Sequence, residues 1–342
     1  MSSQDRYSRQ IRFGPLGEEG QRRLGSSTVL LVGIGALGAH LAETLVRAGV
    51  GQILLVDRDV VEESNLQRQV LYTEADATAG RPKAVAAAEH LGQINSSCVI
   101  QPVVEDFLPE VYEDLGVRPD LILDGTDNFA TRFVLNDLAH REGVPFIYGG
   151  AVGASGTAMV ILPGETPCLR CLLPQAPATG EGDTCETVGV LAPAVQMVAA
   201  FQAGQALKIL TGHRDEVARG IYIIDVWSDD YGLRMQQMRS LPDCVTCQRG
   251  EYPALVATAT PAVKLCGRNA VQVHPRAGAK VDLQRLANNL RDTADDVEVT
   301  PHLLRFGVEG CRFSVFQGGR ALLFGTDEIE RARILYDRYV GA

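Results

Sequence analysis

Short apolar runs at 28–32, 52–56, 99–103, 120–123 and 145–148 read as strands, each too short for a helix. Between them, apolar positions return with the helical period at 36–48, 83–94 and 129–141. Strands alternating with helices predict a Rossmann-like, doubly wound α/β sheet that is mostly parallel. Further strands are expected at 156–162, 221–226 and 233–239, with a long helix around Gln196 among them. The stretch 251–261 shows no strong period and holds Pro253 and Pro261, so it reads as a linker. Pattern resumes with a helix at 282–291, strands near 303–308, 311–317 and 320–324, and a helix at 328–339. The expected organisation is a large domain over 1–250 and a small α+β domain over 262–342, without internal repeats.

Composition narrows the partners. With 46% hydrophobic and 22% charged residues the chain reads as globular, and its net charge of −10 argues against nucleic acid as the main partner. The first residues, MSSQDRYSRQIRFG, hold no apolar signal core, so a cytoplasmic protein is expected. The apolar stretch 188–210 is interrupted by Pro193, Gln196, Gln202, Gln205 and Lys208, which fits a buried helix and no membrane partner.

Of the eight cysteines, Cys168/Cys171 and Cys244/Cys247 form two C-x-x-C pairs. In a reducing compartment such spacing favours metal over disulfides, and two such pairs complete a closed, structural zinc shell.

The candidate chemistry starts at Gly33, Gly35 and Gly38, a G-x-G-x-x-G turn between strand and helix where backbone can approach a phosphate. Asp57 ends the next strand, placed for ribose hydroxyls. Asn65, Arg68 and Gln69 follow in a loop, Lys83 heads the next helix, and DGTDN puts Asp124, Asp127 and Asn128 at a strand end. All should converge at the carboxyl edge of the sheet. ATP carries about four negative charges against about two for NAD, so cations at Arg68 and Lys83 and a magnesium carboxylate at Asp127 favour ATP cleavage.

RYSRQ, GIGALG, D-x-D, SNLQRQ, GRPK, GTDN, both C-x-x-C pairs and CETVGVLAP, in this order over about residues 5–250, resemble the ThiF/MoeB/HesA family, relatives of ubiquitin-activating enzymes. The resemblance implies a homodimer that adenylates the C-terminal Gly-Gly carboxylate of a ubiquitin-like sulfur carrier and releases pyrophosphate. It implies that Gly33, Gly35, Ala36 and Gly38 hold phosphates and that Asp57, with Asp59 of the D-x-D pair, lies at the nucleotide. The block Ser64, Asn65, Leu66, Gln67, Arg68 and Gln69 would line the nucleotide site with Lys83, Asp127 and Asn128, and Asp127 would hold magnesium. Arg9 would reach the partner subunit's site. Cys185 matches a cysteine that in some relatives bonds covalently to the activated carrier. Ala36 departs from the family's GxGGLG pattern, where glycine is usual.

A separate sulfur donor such as a cysteine desulfurase or a rhodanese is an expected partner. Some relatives end in a rhodanese domain, but the residues around Cys266 do not match one, so the tail reads as a carrier-docking or dimer-supporting domain. His274 and His302 stand singly and are assigned no ligand role. The rival readings are a peptide maturase, a tRNA threonylcarbamoyladenosine dehydratase, a nicotinamide oxidoreductase and a nucleotide-dead scaffold. The acidic charge opposes the tRNA form, and Arg68, Lys83 and Asp127 oppose the oxidoreductase.

Overall fold

The computed structural model describes residues 6–175, 187–228, 232–256, 262–265, 269–275 and 281–341. In chain order the first unit begins with α1 (Ser8–Ile11), α2 (Gly17–Leu24), β1 (Thr28–Val32), α3 (Ala36–Ala48), β2 (Gln52–Val56), α4 (Glu74–Ala79) and α5 (Lys83–Ile94). It continues through β3 (Val99–Val103), α6 (Pro109–Asp114), β4 (Leu121–Asp124), α7 (Phe129–Glu142), β5 (Phe146–Val152), β6 (Ser155–Ile161) and α8 (Leu169–Leu172). It closes with α9 (Ala192–Thr211), β7 (Ile221–Asp225), β8 (Gly232–Gln236) and α10 (Pro253–Val256).

Alternation along the strands builds a three-layer unit. Val29, Leu31, Ile53, Leu55, Leu121 and Leu123 point to one side, where they pack with residues of α3, α5 and α9. Leu30, Val32, Leu54, Val56 and Ile122 point to the other, against residues of α6, α7 and α8. The sheet order is β3-β2-β1-β4-β5-β6-β7-β8. The strands from β3 to β5 pair in parallel, and β6, β7 and β8 extend the sheet antiparallel. The strand order winds outward in opposite directions from the parallel neighbours β1 and β4, and that switch point at the carboxyl edge is the crevice where such sheets bind ligands. No helix among the described residues is long and apolar enough to cross a membrane.

The compact units are Met1–Val256 and Ala257–Ala342. The second holds β9 (Ala262–Leu265), β10 (Ala270–Val273), α11 (Leu283–Leu290), β11 (Asp295–Val299), β12 (Leu303–Val308), β13 (Cys311–Phe316), β14 (Ala321–Phe324) and α12 (Ile329–Tyr339). Its strands form one antiparallel sheet in the order β11-β12-β13-β14-β10-β9. Phe306, Phe313, Val315 and Leu323 of that sheet pack with Leu283, Leu290, Leu335 and Tyr336 of the two helices.

The structure differs from the sequence reading in several places, and helices α1, α2, α4, α6 and α8 were not expected there. The stretch read as a linker contains α10, because the Asp137 carboxylate accepts the Ala254 N–H at 2.9 Å and Ala254 and Leu255 pack on the core beside α7. Strands β9, β10 and β11 carry no clear apolar alternation. β11 is the acidic edge strand Asp-Asp-Val-Glu-Val, with four of its five positions exposed.

Candidate active site

The glycines after β1 do different jobs. Gly33 takes φ +83°, where a side chain is strained, and an added Cβ would lie 2.6 Å from the Gly125 backbone. A methyl on Gly38 or on Gly125 would overlap the Gly33 carbonyl oxygen. These residues let the loops leaving β1 and β4 interlock. Gly35 instead has only Gln69 Nε2 within reach of an added Cβ, at 3.8 Å. It caps α3 without a side-chain bond, so no side chain competes with an anion for the first-turn amides of this 13-residue helix. Ala36 is the first residue of α3, and its half-buried methyl is accommodated there.

Acids and cations meet beside this loop. Asp57 is 8% exposed and accepts the Ile34 N–H at 2.6 Å and the Asp59 N–H at 2.7 Å. Lys83, 4% exposed, places its Nζ 3.2 Å from Asp59. Burial by itself would lower the Lys83 ammonium, but Asp59, Asp57 and Asp127 outweigh it and hold the group above its ordinary value. It is therefore a buried cation at neutral pH, held beside Asp59. Burial drives the Asp57 carboxyl upward, opposed by the Lys83 charge and the backbone N–H groups.

The other expected residues divide. Asp127 is exposed at the exit of β4 and acts electrostatically on Lys83, Arg58 and Arg132. Asp124 faces inward: it is fully buried, accepting from Thr126 and pairing with Arg132 Nε at 3.2 Å, so its carboxylate is structural. Asn128 caps α7 by accepting the Thr131 N–H at 2.9 Å. In the loop after β2, buried Asn65 accepts the Glu62 N–H and Arg68 donates to the Ser64 carbonyl, while Ser64, Gln67 and Val70 are exposed and Leu66 packs on the core. Gln69 lies under Gly35, buried, with an Oε1 that accepts no hydrogen bond among the described residues.

Arg9 is elsewhere. Tyr7 lies against Gly49 and accepts from Asn95 at 2.9 Å, and Gln10 donates to the Ala48 carbonyl at 2.8 Å, which docks α1 where α3 and α5 end. That is the amino edge of the sheet, and the 13 residues of α3, at about 1.5 Å each, set it roughly 20 Å from the glycine loop. Exposed Arg9 therefore does not serve the crevice of its own chain. Cys185 and Cys266 lie outside the described residues.

On the opposite face, the sulfurs of Cys168, Cys171, Cys244 and Cys247 all lie within 4.8 Å of one another. The shorter pairs are Cys168–Cys171 at 3.9 Å, Cys168–Cys244 at 3.5 Å and Cys171–Cys247 at 3.4 Å. Thiolates about 2.3 Å from a tetrahedral zinc would stand about 3.8 Å apart, so the cluster could hold that ion. It is the one such grouping among the described residues.

A ThiF family model matches residues 7–246, which include the crevice and the cysteine cluster. The chain belongs to the ThiF family. It is 41% identical over 337 residues to a sulfur carrier protein ThiS adenylyltransferase of Bacillus subtilis (strain 168), covering 98% of this chain and 99% of that protein. It is 38% identical over 246 residues to a SAMP-activating enzyme E1 of Haloferax volcanii, covering 72% of this chain and 89% of that protein. A crystal structure of E. coli MccB with ATP superposes with a TM-score of 0.60 at 25% identity, over 71% of this chain and 73% of that one.

Three features of this ThiF-family site escaped sequence reasoning. Tyr72, 7% exposed, donates to the Ile34 carbonyl at 2.6 Å and joins the glycine loop to the start of α5. Arg58 bonds Asp106 at 2.9 Å and approaches Asp59 at 3.8 Å, directly after Asp57 in the chain. Asn136 and Asp137 organise the cysteine cluster: Asn136 Oδ1 accepts the Leu169 N–H, and Asp137 accepts from Arg170 and Thr246. The signal was an Asn-Asp pair flanked by apolar Leu135 and Leu138 in one helix.

Proposed function

We propose that this chain uses ATP to adenylate the C-terminal Gly-Gly carboxylate of a ubiquitin-like sulfur carrier. The carrying observation is Lys83, a buried cation between Asp59 and the glycine loop, in a chain similar along nearly its whole length to a ThiS adenylyltransferase. Gly35 and the first turn of α3 receive phosphate, Asp57 the ribose, and Lys83 with Arg68 the triphosphate charge. Asn65 keeps the Arg68 loop in shape through its bond to Glu62. A carrier carboxylate oxygen attacks the α-phosphorus, the bond to the bridging oxygen breaks, and pyrophosphate leaves. The protein's part is alignment and charge neutralisation, because the nucleophile already carries its electron pair.

Exposed Asp127, at the mouth of the crevice, fits a magnesium ion that takes its remaining ligands from phosphate and water. Such an ion supplies further neutralisation of the triphosphate. Zinc on the cysteine cluster would be structural, pinning α8 to the Cys244 loop. The working unit is a homodimer in which Arg9 serves the partner's crevice, since α1 docks at the wrong edge to serve its own. A separate cysteine desulfurase or rhodanese consumes the acyl-adenylate, in the cytoplasm. The second unit, which contains the proposed domain 262–342, supports carrier docking or the dimer.

The test is ATP–pyrophosphate exchange with a Gly-Gly-ending sulfur carrier. Exchange that requires the carrier and its last glycine supports the reading. Equal exchange with the truncated carrier, or nicotinamide binding without exchange, overturns it.

A further inference from the structure

The geometry points to Arg58, held by Asp106, as the surface on which the nucleobase of the bound nucleotide lies. The inference rests on the proposed ATP site and adds the part that recognises the base. Strand order fixes the direction. The phosphate surface at Gly35 follows β1 and the proposed ribose acid Asp57 follows β2, so a nucleotide laid from phosphate through ribose runs outward toward the exit of β3.

Arg58 and Asp106 stand at that exit. Arg58 directly follows Asp57, and Asp106 lies three residues beyond Val103, the last residue of β3. Arg58 Nη1 donates to Asp106 Oδ1 at 2.9 Å, and its Nε lies 3.8 Å from Asp59 Oδ1. The side chain is 28% exposed and that of Asp106 15%. Contacts at Nη1 and at Nε, on different edges of the planar guanidinium, fix its plane, and such a plane stacks well on an aromatic ring. Asp59 links this platform to Lys83, so base and phosphate contacts share one acid. Arg58 is thus a binding residue and Asp106 its positioning residue.

Calorimetric titration of the full-length chain with ATP and with inorganic tripolyphosphate tests this. Arg58→Ala should weaken ATP about tenfold and leave tripolyphosphate within twofold, because only the base contact is lost. Arg58→Phe, which keeps a flat stacking face without charge, should stay within threefold of wild type for ATP. Asp106→Asn should give a partial loss for ATP alone. Unchanged ATP affinity in Arg58→Ala overturns the inference while the proposed activity stands. Equal weakening of tripolyphosphate shows that Arg58 serves the phosphates and overturns it too, as does a Phe variant no better than Ala. A wild-type chain that binds no ATP overturns both this inference and the proposed function.

Discussion

Replacing Asp137 by Asn should loosen the cysteine cluster far from the crevice. The Asp137 carboxylate is fully buried and accepts from Arg170 Nε at 3.2 Å, Arg170 Nη2 at 2.9 Å, Asn136 Nδ2 at 3.1 Å, Thr246 Oγ1 at 2.8 Å and the Ala254 N–H at 2.9 Å. An amide in its place turns an NH2 group toward donors on whichever side it faces, and leaves Arg170, 12% exposed over the Phe133 ring, without a counter-charge. Breaking a buried pair from one side costs about 3–5 kcal/mol. Taking about 3 kcal/mol as the part that loosens α8 and the Cys244 loop, zinc should leave about a hundredfold faster, at ~1.4 kcal/mol per tenfold. Release to a chelating dye reads this rate, and ATP affinity is the control, because Asp137 does not touch the crevice. Removing the stranded charge in Asp137→Asn/Arg170→Met should recover much of the loss. Release within threefold of wild type in Asp137→Asn would refute the hub assignment.

Mixing Arg9→Ala with Asp127→Ala subunits, each inactive alone, should restore one working site per heterodimer; no recovery despite demonstrated subunit exchange would rule out a shared site. Cys185→Ala should keep pyrophosphate exchange but lose a thiol-sensitive adduct with the carrier, and an adduct that disappears only in Cys266→Ala would place the acceptor in the second unit. Acid should weaken the start of α4 and its tie to α5 through His90. Burial would raise the Asp76 carboxyl, but bonds from Thr73 and His90 outweigh it and hold it at about 2 against 3.8 when unfolded. A depressed carboxyl contributes its full stability above the unfolded value and loses it as pH falls toward 2, a span of about 2 kcal/mol. Acid melts of Asp76→Asn should therefore show a flatter dependence between about pH 4 and pH 2, and an unchanged slope would contradict this.

The sequence was most legible where apolar blocks are punctuated by glycine and acid. The bounds of β1, α3, β2, α5 and β3 coincide with the reading, because each starts or stops at a sharp change of pattern. Gly35, Asp57 and Lys83 were readable for the same reason, being tied to element ends. What failed lacked such a local signature. The α2 segment Gly-Glu-Glu-Gly-Gln-Arg-Arg-Leu buries only Gly20 and Leu24, too few apolar positions to mark a helix. Arg58 was not singled out because its partner Asp106 lies 48 residues on, in an aperiodic loop. Asn128 and Asp124 were read toward the ligand, yet a helix cap and a buried ion pair claim their side chains. Spacing alone does not separate an exposed strand-end acid, such as Asp127, from one that faces the core, such as Asp124.

The central claim is adenylyl transfer to a carrier, and the position of the phosphate label tests it most directly. The chain is incubated with a Gly-Gly-ending sulfur carrier and ATP labelled at either the α or the γ phosphorus. The account predicts that α label becomes attached to the carrier as an acyl-adenylate, labile to hydroxylamine, while γ label appears in pyrophosphate. Release of γ label as orthophosphate with no α label on the carrier would contradict it.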